Sequence, residues 1–317
     1  MAAERMRGSR LRLSVPSDFD LAEAVCSYGY FLLSPNHWDA ERQVFETTLA
    51  TEDSSLIAIR VSQGDQGDPL VVACHRKLDR GEGVRVKQRL GRVLRVDEDF
   101  TGWYAMHAGA RRRGFGRLFR SPTLWEDIVK TITGCNTTWT STIRMNRLLV
   151  ERVGRGAFPS PGQVRRYGAA RLKEHVKVGY RAQRIVDVAR GFLDGSIDAG
   201  WYASPERTAG EVYEALRGLN GIGPYAAANI CQLLGHYDFL AIDSETYRHY
   251  CAVKGIERPS NDKELDPLIE AHYEGYRPYR FLAYWYDLWT AYEARVGPSR
   301  GWVRERDAGA FTASKLR

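Results

Sequence analysis

Two hydrophobic rhythms divide the chain. Up to about residue 110, short apolar runs alternate with polar positions: Leu56-Ile57-Ala58-Ile59-Arg60-Val61, Leu70-Val71-Val72-Ala73-Cys74, Val84-Arg85-Val86-Lys87 and Val93-Leu94-Arg95-Val96. β-branched residues at period two, separated by turn-forming stretches at 63–68 and 79–83, predict antiparallel strands. Arg85, Lys87, Arg89 and Arg95 are then expected on a solvated face of the sheet. Beyond residue 110 the spacing turns helical. Ser121-Pro122 supplies an N-cap and a proline for the first helical position, and Leu124, Ile128, Val129 and Ile132 mark one face. A polar break at Gly134-Cys135-Asn136-Thr137-Thr138 precedes a second helix bearing Ile143, Leu148 and Leu149. Further helices are predicted to begin near Ser160, Gly179, Ser204 and Pro224, with another from about Tyr279 to Ala294. The expected fold class is α+β: an N-terminal antiparallel β domain over residues 1–110, then a mostly α-helical domain over residues 111–317.

The most informative stretch is Leu216-Arg217-Gly218-Leu219-Asn220-Gly221-Ile222-Gly223-Pro224-Tyr225. A helix from about Ala209 is expected to end at Gly218 in a left-handed cap, and another to start at Gly223-Pro224, which places a helix-hairpin-helix at about 209–234. Gly221 and Gly223 permit a tight turn and leave the backbone bare. Amides at a bare helix N-terminus suit an anion, such as a phosphate of a nucleic-acid backbone. A glycine-bearing turn without any ligand has the same sequence. A dinucleotide site is excluded, because Gly-x-x-Gly-x-Gly between helices has neither the order nor the preceding strand that site needs. Nineteen residues after Pro224, Asp243 follows the apolar run Phe239–Ile242 and is placed to cap another helix.

Taken together, the hairpin, its Gly/Pro loop and the Asp243 that follows resemble the helix-hairpin-helix (HhH-GPD) DNA glycosylase superfamily. Leu118 through Asn136 and Val178-Gly179-Tyr180-Arg181-Ala182 extend the resemblance, and the β-rich N-terminal part is similar to the extra domain of the 8-oxoguanine and 3-methyladenine branches. The resemblance implies double-stranded DNA carrying a damaged base as partner, and Asp243 as the catalytic carboxylate beside an oxocarbenium-like transition state. Tyr225 stands where strand-nicking members carry a Schiff-base lysine, so a monofunctional enzyme is implied. Its ring either stacks on a flipped base or packs between helices. Asn136 matches the residue that fills the gap left by an extruded base, or caps the next helix. Thr137 beside it can bond phosphate, and Tyr180 and Arg181 match contacts to the opposite strand. In the 8-oxoguanine branch a glutamine and a phenylalanine clamp the base; those positions fall on Tyr284 and Leu288. Gly29 aligns with a residue that lends a backbone carbonyl to the pocket. A monovalent cation (K+ or Na+) on the carbonyls of Arg217, Leu219 and Ile222 is also implied, and no iron–sulfur cluster, since only Cys231 and Cys251 lie in the last third.

Composition adds limits. Over 317 residues, 46 Lys+Arg against 39 Asp+Glu give a net charge of +7, which permits nucleic acid without requiring it. A hydrophobic content of 44% excludes wholesale disorder. Five widely spaced cysteines with no CxxC pair suit a reducing, intracellular setting, and a monomer without a membrane span is expected. Arg113 and Arg117 belong to a run of arginines at 111–120 interleaved with Phe115 and Phe119; it either approaches DNA or forms a solvated linker. The aromatic stripe Phe281, Tyr284, Trp285, Leu288, Trp289, Tyr292 suits a core as well as a pocket. Three functions follow: a monofunctional glycosylase for an alkylated purine such as 3-methyladenine, an 8-oxoguanine-type glycosylase/lyase using another lysine such as Lys177 or Lys254, and a non-catalytic DNA-damage binder.

Overall fold

Alternation of buried and open positions builds the sheet where the first β-branched runs predict it. The computed structural model describes residues 6–51 and 55–307, so the outer ends of the regions 1–110 and 111–317 lie outside the described residues. Strands β1 (Arg10–Leu13), β2 (His37–Asp39), β3 (Val44–Ala50), β4 (Leu56–Ser62) and β5 (Leu70–Cys74) pair antiparallel in the order β1-β5-β4-β3-β2. Ile59 opposes Thr47 on one side and Cys74 on the other. Ile57, Ile59 and Val61, with Leu70, Val72 and Cys74, turn into the core.

The two later runs are not strands. Residues Val84–Lys87 and Val93–Val96 fall in and just after helix α1 (Arg80–Leu94). Val86, Leu90 and Val93 recur at i, i+4 and i+7, so a helix buries them on one face. Asp79 and Glu82 close a capping box at its start, a local signal that outweighs the β-branched composition. Gly83 lies against Leu11 of β1, so α1 packs on the sheet. The arginines do not line a solvated sheet face either. Arg95, in the left-handed region at φ 52°, is fully buried. Its guanidinium donates to the carbonyls of Leu118 (2.6 Å) and Gln232 (2.7 Å), meets both Glu98 oxygens (2.8 and 2.9 Å), and lies over the Tyr237 ring. A buried charge persists because every arm has a partner.

Downstream are α2 (Leu124–Gly134), α3 (Trp139–Leu148), α4 (Arg181–Asp194), α5 (Ala209–Arg217), α6 (Pro224–Leu234), α7 (Ser244–Lys254) and α8 (Arg280–Val296), with shorter turns between. Helix α2 starts two residues later than Pro122 suggests, because Thr123 accepts from Glu126 N (3.2 Å) and becomes the cap. None of the helices among the described residues is long and apolar enough to cross a membrane.

Buried apolar side chains gather in two cores. One joins residues 19–119 to 228–302, and the other lies within residues 124–231. Helix α6 is the wall between them: Ala228 and Leu233 face the first core, Ala227 and Ile230 the second. The seam is polar and closed. Tyr28 OH donates to Asn229 Oδ1 (2.5 Å), Asn229 Nδ2 donates to Thr131 Oγ1 (3.1 Å), and Tyr30 OH meets Thr131 Oγ1 (2.8 Å). Trp285 and Trp289 of α8 donate to the carbonyls of Ser27 and Cys26, which fixes the Tyr28-Gly29 segment beside that helix.

Replacing Arg95 with Met strands the Leu118 and Gln232 carbonyls and leaves Glu98 short of its buried partner. Urea unfolding of Arg95→Met is expected to show a loss of about 3–5 kcal/mol; a loss under about 1 kcal/mol contradicts this account of the junction.

Candidate active site

The hairpin takes its shape from three glycines with different tasks. Helix α5 starts with a Thr208/Glu211 capping box and ends at Arg217, but Gly218 is right-handed (φ −70°) and is not the expected left-handed cap. The left-handed residue is Gly221, at φ 82°, where a Cβ would also sit 2.4 Å from Arg184 Cδ. Gly223 caps α6 with extended backbone and no side-chain bond; Pro224 follows, so the first amides of the helix are bare. A Cβ on Gly223 would meet nothing within 4 Å, since it would project into an open groove of about 610 Å³ lined by Asn136, Arg184, Gly221, Gly223 and Asp243 among others. Bare amides at the positive end of a helix dipole suit a phosphate there.

Two of the three carbonyls implied for a monovalent cation already accept a hydrogen bond. Ile222 O accepts from the Arg217 guanidinium (3.2 Å) and Leu219 O from Ile222 N (3.0 Å), so a positive charge already lies on one of them.

Asp243 is the N-cap of α7. Its Oδ1 accepts from Glu245 N (3.0 Å), Thr246 N (3.0 Å) and Thr246 Oγ1 (3.2 Å). Among the described residues Oδ2 has no protein donor. Thr246 Oγ1 in turn meets Tyr284 OH (2.9 Å), which ties the carboxylate to α8. Burial raises the Asp243 pKa above the ordinary aspartate value, the Thr246 bonds oppose this, and the nearby charge of Glu245 adds to the rise.

Three adjoining spaces meet at Asp243 and Tyr225, which line all of them. From the hairpin groove the path leads to a chamber of about 310 Å³, bordered by Tyr30, Thr131, Thr137, Trp139 and Asn229. Beyond it lies an aromatic chamber of about 110 Å³. Tyr28, Trp139, Phe281, Tyr284, Trp285, Trp289 and Tyr292 supply its rings; Gly29 and Leu288 fill gaps between them. Its only ionisable carboxylates are Asp243 and Glu245, and no Lys, Arg or His lines it among the described residues. The α8 stripe therefore serves both as core and as cavity wall. Gly29 is there for space: a Cβ would come 2.9 Å from the Trp139 ring. Burial, with the Asp243 charge second, holds the Tyr225 phenol well above its usual pKa, so it stays protonated.

Residues expected to meet DNA divide into two groups. Asn136 and Thr137 are exposed at the groove, and Asn136 adopts φ 49°, a left-handed conformation that Asn tolerates better than most residues. Arg181 lies beneath them and is largely buried. It donates to the Cys135 carbonyl and to that of Asn136 (3.1 Å), so it shapes the loop and does not face outward. Tyr180 is half-exposed, with the Arg181 and Arg184 guanidinium groups 4.6 and 5.0 Å from its ring centroid. Arg113 and Arg117 do not join this surface. Arg113 is paired with Glu23 and Glu293, and Arg117 is buried with its guanidinium on the Arg95 and Glu98 carbonyls. Their expected phosphate role is corrected to an internal one, because carboxylates and carbonyls already use those cations.

Sequence reasoning missed Tyr28, Lys130, Trp139, Asn229 and Glu245. Trp139 follows the 134–138 break directly and Glu245 lies two residues past Asp243, so proximity was a usable signal for both. Tyr28 and Asn229 meet across some 200 residues, with no local trace. Lys130 lines the middle chamber fully buried, its Nζ 2.7 Å from Glu126 Oε1 and over the Tyr30 and Phe158 rings.

The fold has known counterparts. The chain superposes on a 3-methyladenine DNA glycosylase from Archaeoglobus fulgidus with a TM-score of 0.67 and 17% identity, covering 90% of this chain and 98% of that one. An 8-oxoguanine glycosylase/lyase from Clostridium acetobutylicum in its apo form gives 0.59 and 13%, covering 83% and 93%. The same enzyme bound to double-stranded DNA with cytosine opposite 8-oxoguanine gives 0.58 and 13%, covering 84% and 93%. No family model and no curated protein matches the sequence. The chain thus has the α+β fold found in both kinds of DNA glycosylase.

Because Gly223 opens onto the groove without neighbours, Gly223→Val is expected to leave the melting temperature within about 2 °C of wild type while weakening duplex binding about tenfold, read by fluorescence anisotropy. Unchanged affinity contradicts a phosphate role for the bare amides.

Proposed function

We propose that this protein is a DNA glycosylase that holds duplex DNA at the hairpin, swings a damaged base into the aromatic chamber and hydrolyses its N-glycosidic bond without nicking the strand. The observation that carries the reading is the position of Asp243 and Tyr225 at the one place where groove and chambers meet. A nucleotide with its phosphate at the α6 amides and its base among the rings would have its sugar there.

Three parts of the chain divide the work. The amides of α6 fix the backbone without reading a base. The rings receive the flipped base, and an electron-poor alkylated purine stacks on them with the greatest gain. Asp243 presents Oδ2 to the sugar. As the C1′–N bond breaks, its electron pair leaves with the base and positive charge grows on the sugar, which the carboxylate stabilises by roughly 3–4 kcal/mol. Water then adds to C1′ and gives up a proton, for which Asp243 is the available acceptor. The scheme calls on no cofactor.

Tyr225 supports the absence of strand cleavage, since a protonated phenol forms no imine. Neither Lys177 nor Lys254 lines a chamber; Lys254 Nζ instead lies 3.1 Å from His272 Nδ1. Lys130 does line one, but it is fully buried there with its Nζ held 2.7 Å from Glu126 Oε1. A pure damage binder has no use for a carboxylate with one oxygen left without a donor.

Four results are expected from single-turnover and product assays. Asp243→Asn should lower release of alkylated purines by about 100-fold or more, with duplex affinity little changed; near-normal release by this variant excludes the mechanism. The wild-type rate should rise with pH along an acid limb above the ordinary aspartate range, because burial raises the pKa of the group that must be ionised. Product strands should break only after alkali, and borohydride should trap no protein–DNA adduct.

A further inference from the structure

The chamber wall contains a second carboxylate that the hydrolysis scheme leaves idle. Glu245 lies on the first turn of α7, two residues beyond Asp243, and lines both the middle and the aromatic chamber. Its Oε2 accepts from Tyr292 OH (2.8 Å) and Arg248 Nη2 (3.1 Å), and Arg248 Nε stands 3.2 Å from each of its oxygens. Its side chain is 12% exposed, and it shares the lining of the aromatic chamber with the rings. Tyr292 and Arg248 hold the carboxylate still without consuming all its lone pairs, of which a carboxylate offers about four.

A carboxylate fixed in a wall of aromatic rings is an unusual surface for a neutral base. It repels carbonyl-rich edges and attracts positive charge or an N–H donor, while the ring faces favour the same charge through their quadrupoles. No Lys, Arg or His among the described residues lines the aromatic chamber, and the guanidinium paired with Glu245, that of Arg248, is not part of its wall. We infer that Glu245 determines specificity: it selects bases that carry a formal positive charge, N-alkylated purinium rings, over neutral bases of similar size. The inference rests on the proposed glycosylase reading and adds to it a residue and a rule for choosing the base. It also separates two duties within one turn of α7, since Asp243 acts on the sugar and Glu245 on the base.

A merely structural Glu245, one that only anchors Arg248 and Tyr292, would weaken every substrate alike. The two roles separate in an assay of single-turnover base release by wild type and Glu245→Gln. The substrates are duplexes with 7-methylguanine or 3-methyladenine, which are cationic, and with hypoxanthine or 1,N6-ethenoadenine, which are neutral. Release of the cationic bases is expected to fall about tenfold or more in the variant, while release of the neutral ones stays within about twofold. Tyr292→Phe, which keeps the carboxylate but frees one side of it, should shift the ratio the same way by a smaller factor and guards against a folding defect.

The pH profile gives an independent readout. Asp243 is faced by Glu245 and Thr246 from its own helix, by Tyr225 of α6, by Tyr28 and Cys135, and by Tyr284 and Tyr292 of α8. Among these Glu245 is the one carboxylate, and its charge works to keep a proton on Asp243. The acid limb should therefore move to lower pH in Glu245→Gln. Equal losses on both classes of base with an unmoved limb overturn the inference, and so does an unchanged preference. If wild type releases none of the four bases, the glycosylase reading itself fails and this inference with it, a result distinct from failure in the variant alone.

Discussion

Everything at the candidate site depends on a polar seam buried between two hydrophobic cores. Tyr28, Tyr30, Thr131 and Asn229 come from an N-terminal segment, from α2 and from α6, and they satisfy one another where the cores meet. Apolar side chains there would let the two bodies close on each other. Hydroxyls and an amide that need fixed partners hold the walls at a set distance instead, and the chambers occupy the space that remains. The same demand for partners draws α8 back over the N-terminal segment through Trp285 and Trp289.

Charge is distributed along this path in opposite senses. At the groove the protein offers bare amides and the nearby Arg184, which suit a phosphate backbone. Inside, it offers ring faces and two carboxylates. In the proposed function a duplex would be held from outside by one kind of chemistry, and the base that leaves it received by another. Asp243 stands at the boundary, buried enough for its pKa to rise and bonded enough at Oδ1 to stay oriented. The net charge of +7 is a poor guide to this arrangement. Arg95, Arg113 and Arg117 are spent on internal carbonyls and carboxylates.

Local patterns were legible wherever a single element decides the outcome. β4 and β5, the α5–α6 hairpin and the cap at Asp243 follow from spacing, glycine and proline, all within a few residues of each other. Residues 80–96 misled, because Val84-Arg85-Val86-Lys87 alternates at period two while Val86, Leu90 and Val93 line one face of a helix; the Asp79/Glu82 capping box was the signal that separates them. The aromatic stripe of α8 could not be assigned from sequence, since whether a ring faces core or cavity depends on what stands opposite. That was decided by Tyr28, Gly29 and Trp139, from distant parts of the chain. Arg113 escaped for the same reason: its partners Glu23 and Glu293 are remote in sequence.

The central claim is geometric, that a base leaving the duplex enters the aromatic chamber with its sugar beside Asp243. A crystal structure of Asp243→Asn bound to a duplex with a single 7-methylguanine tests it most directly. The account predicts the methylated base among Trp139, Trp285 and Tyr225, C1′ next to residue 243, and a backbone phosphate on the amides after Gly223. A base still stacked in the duplex, or DNA lying across another face with the chamber empty, would contradict it.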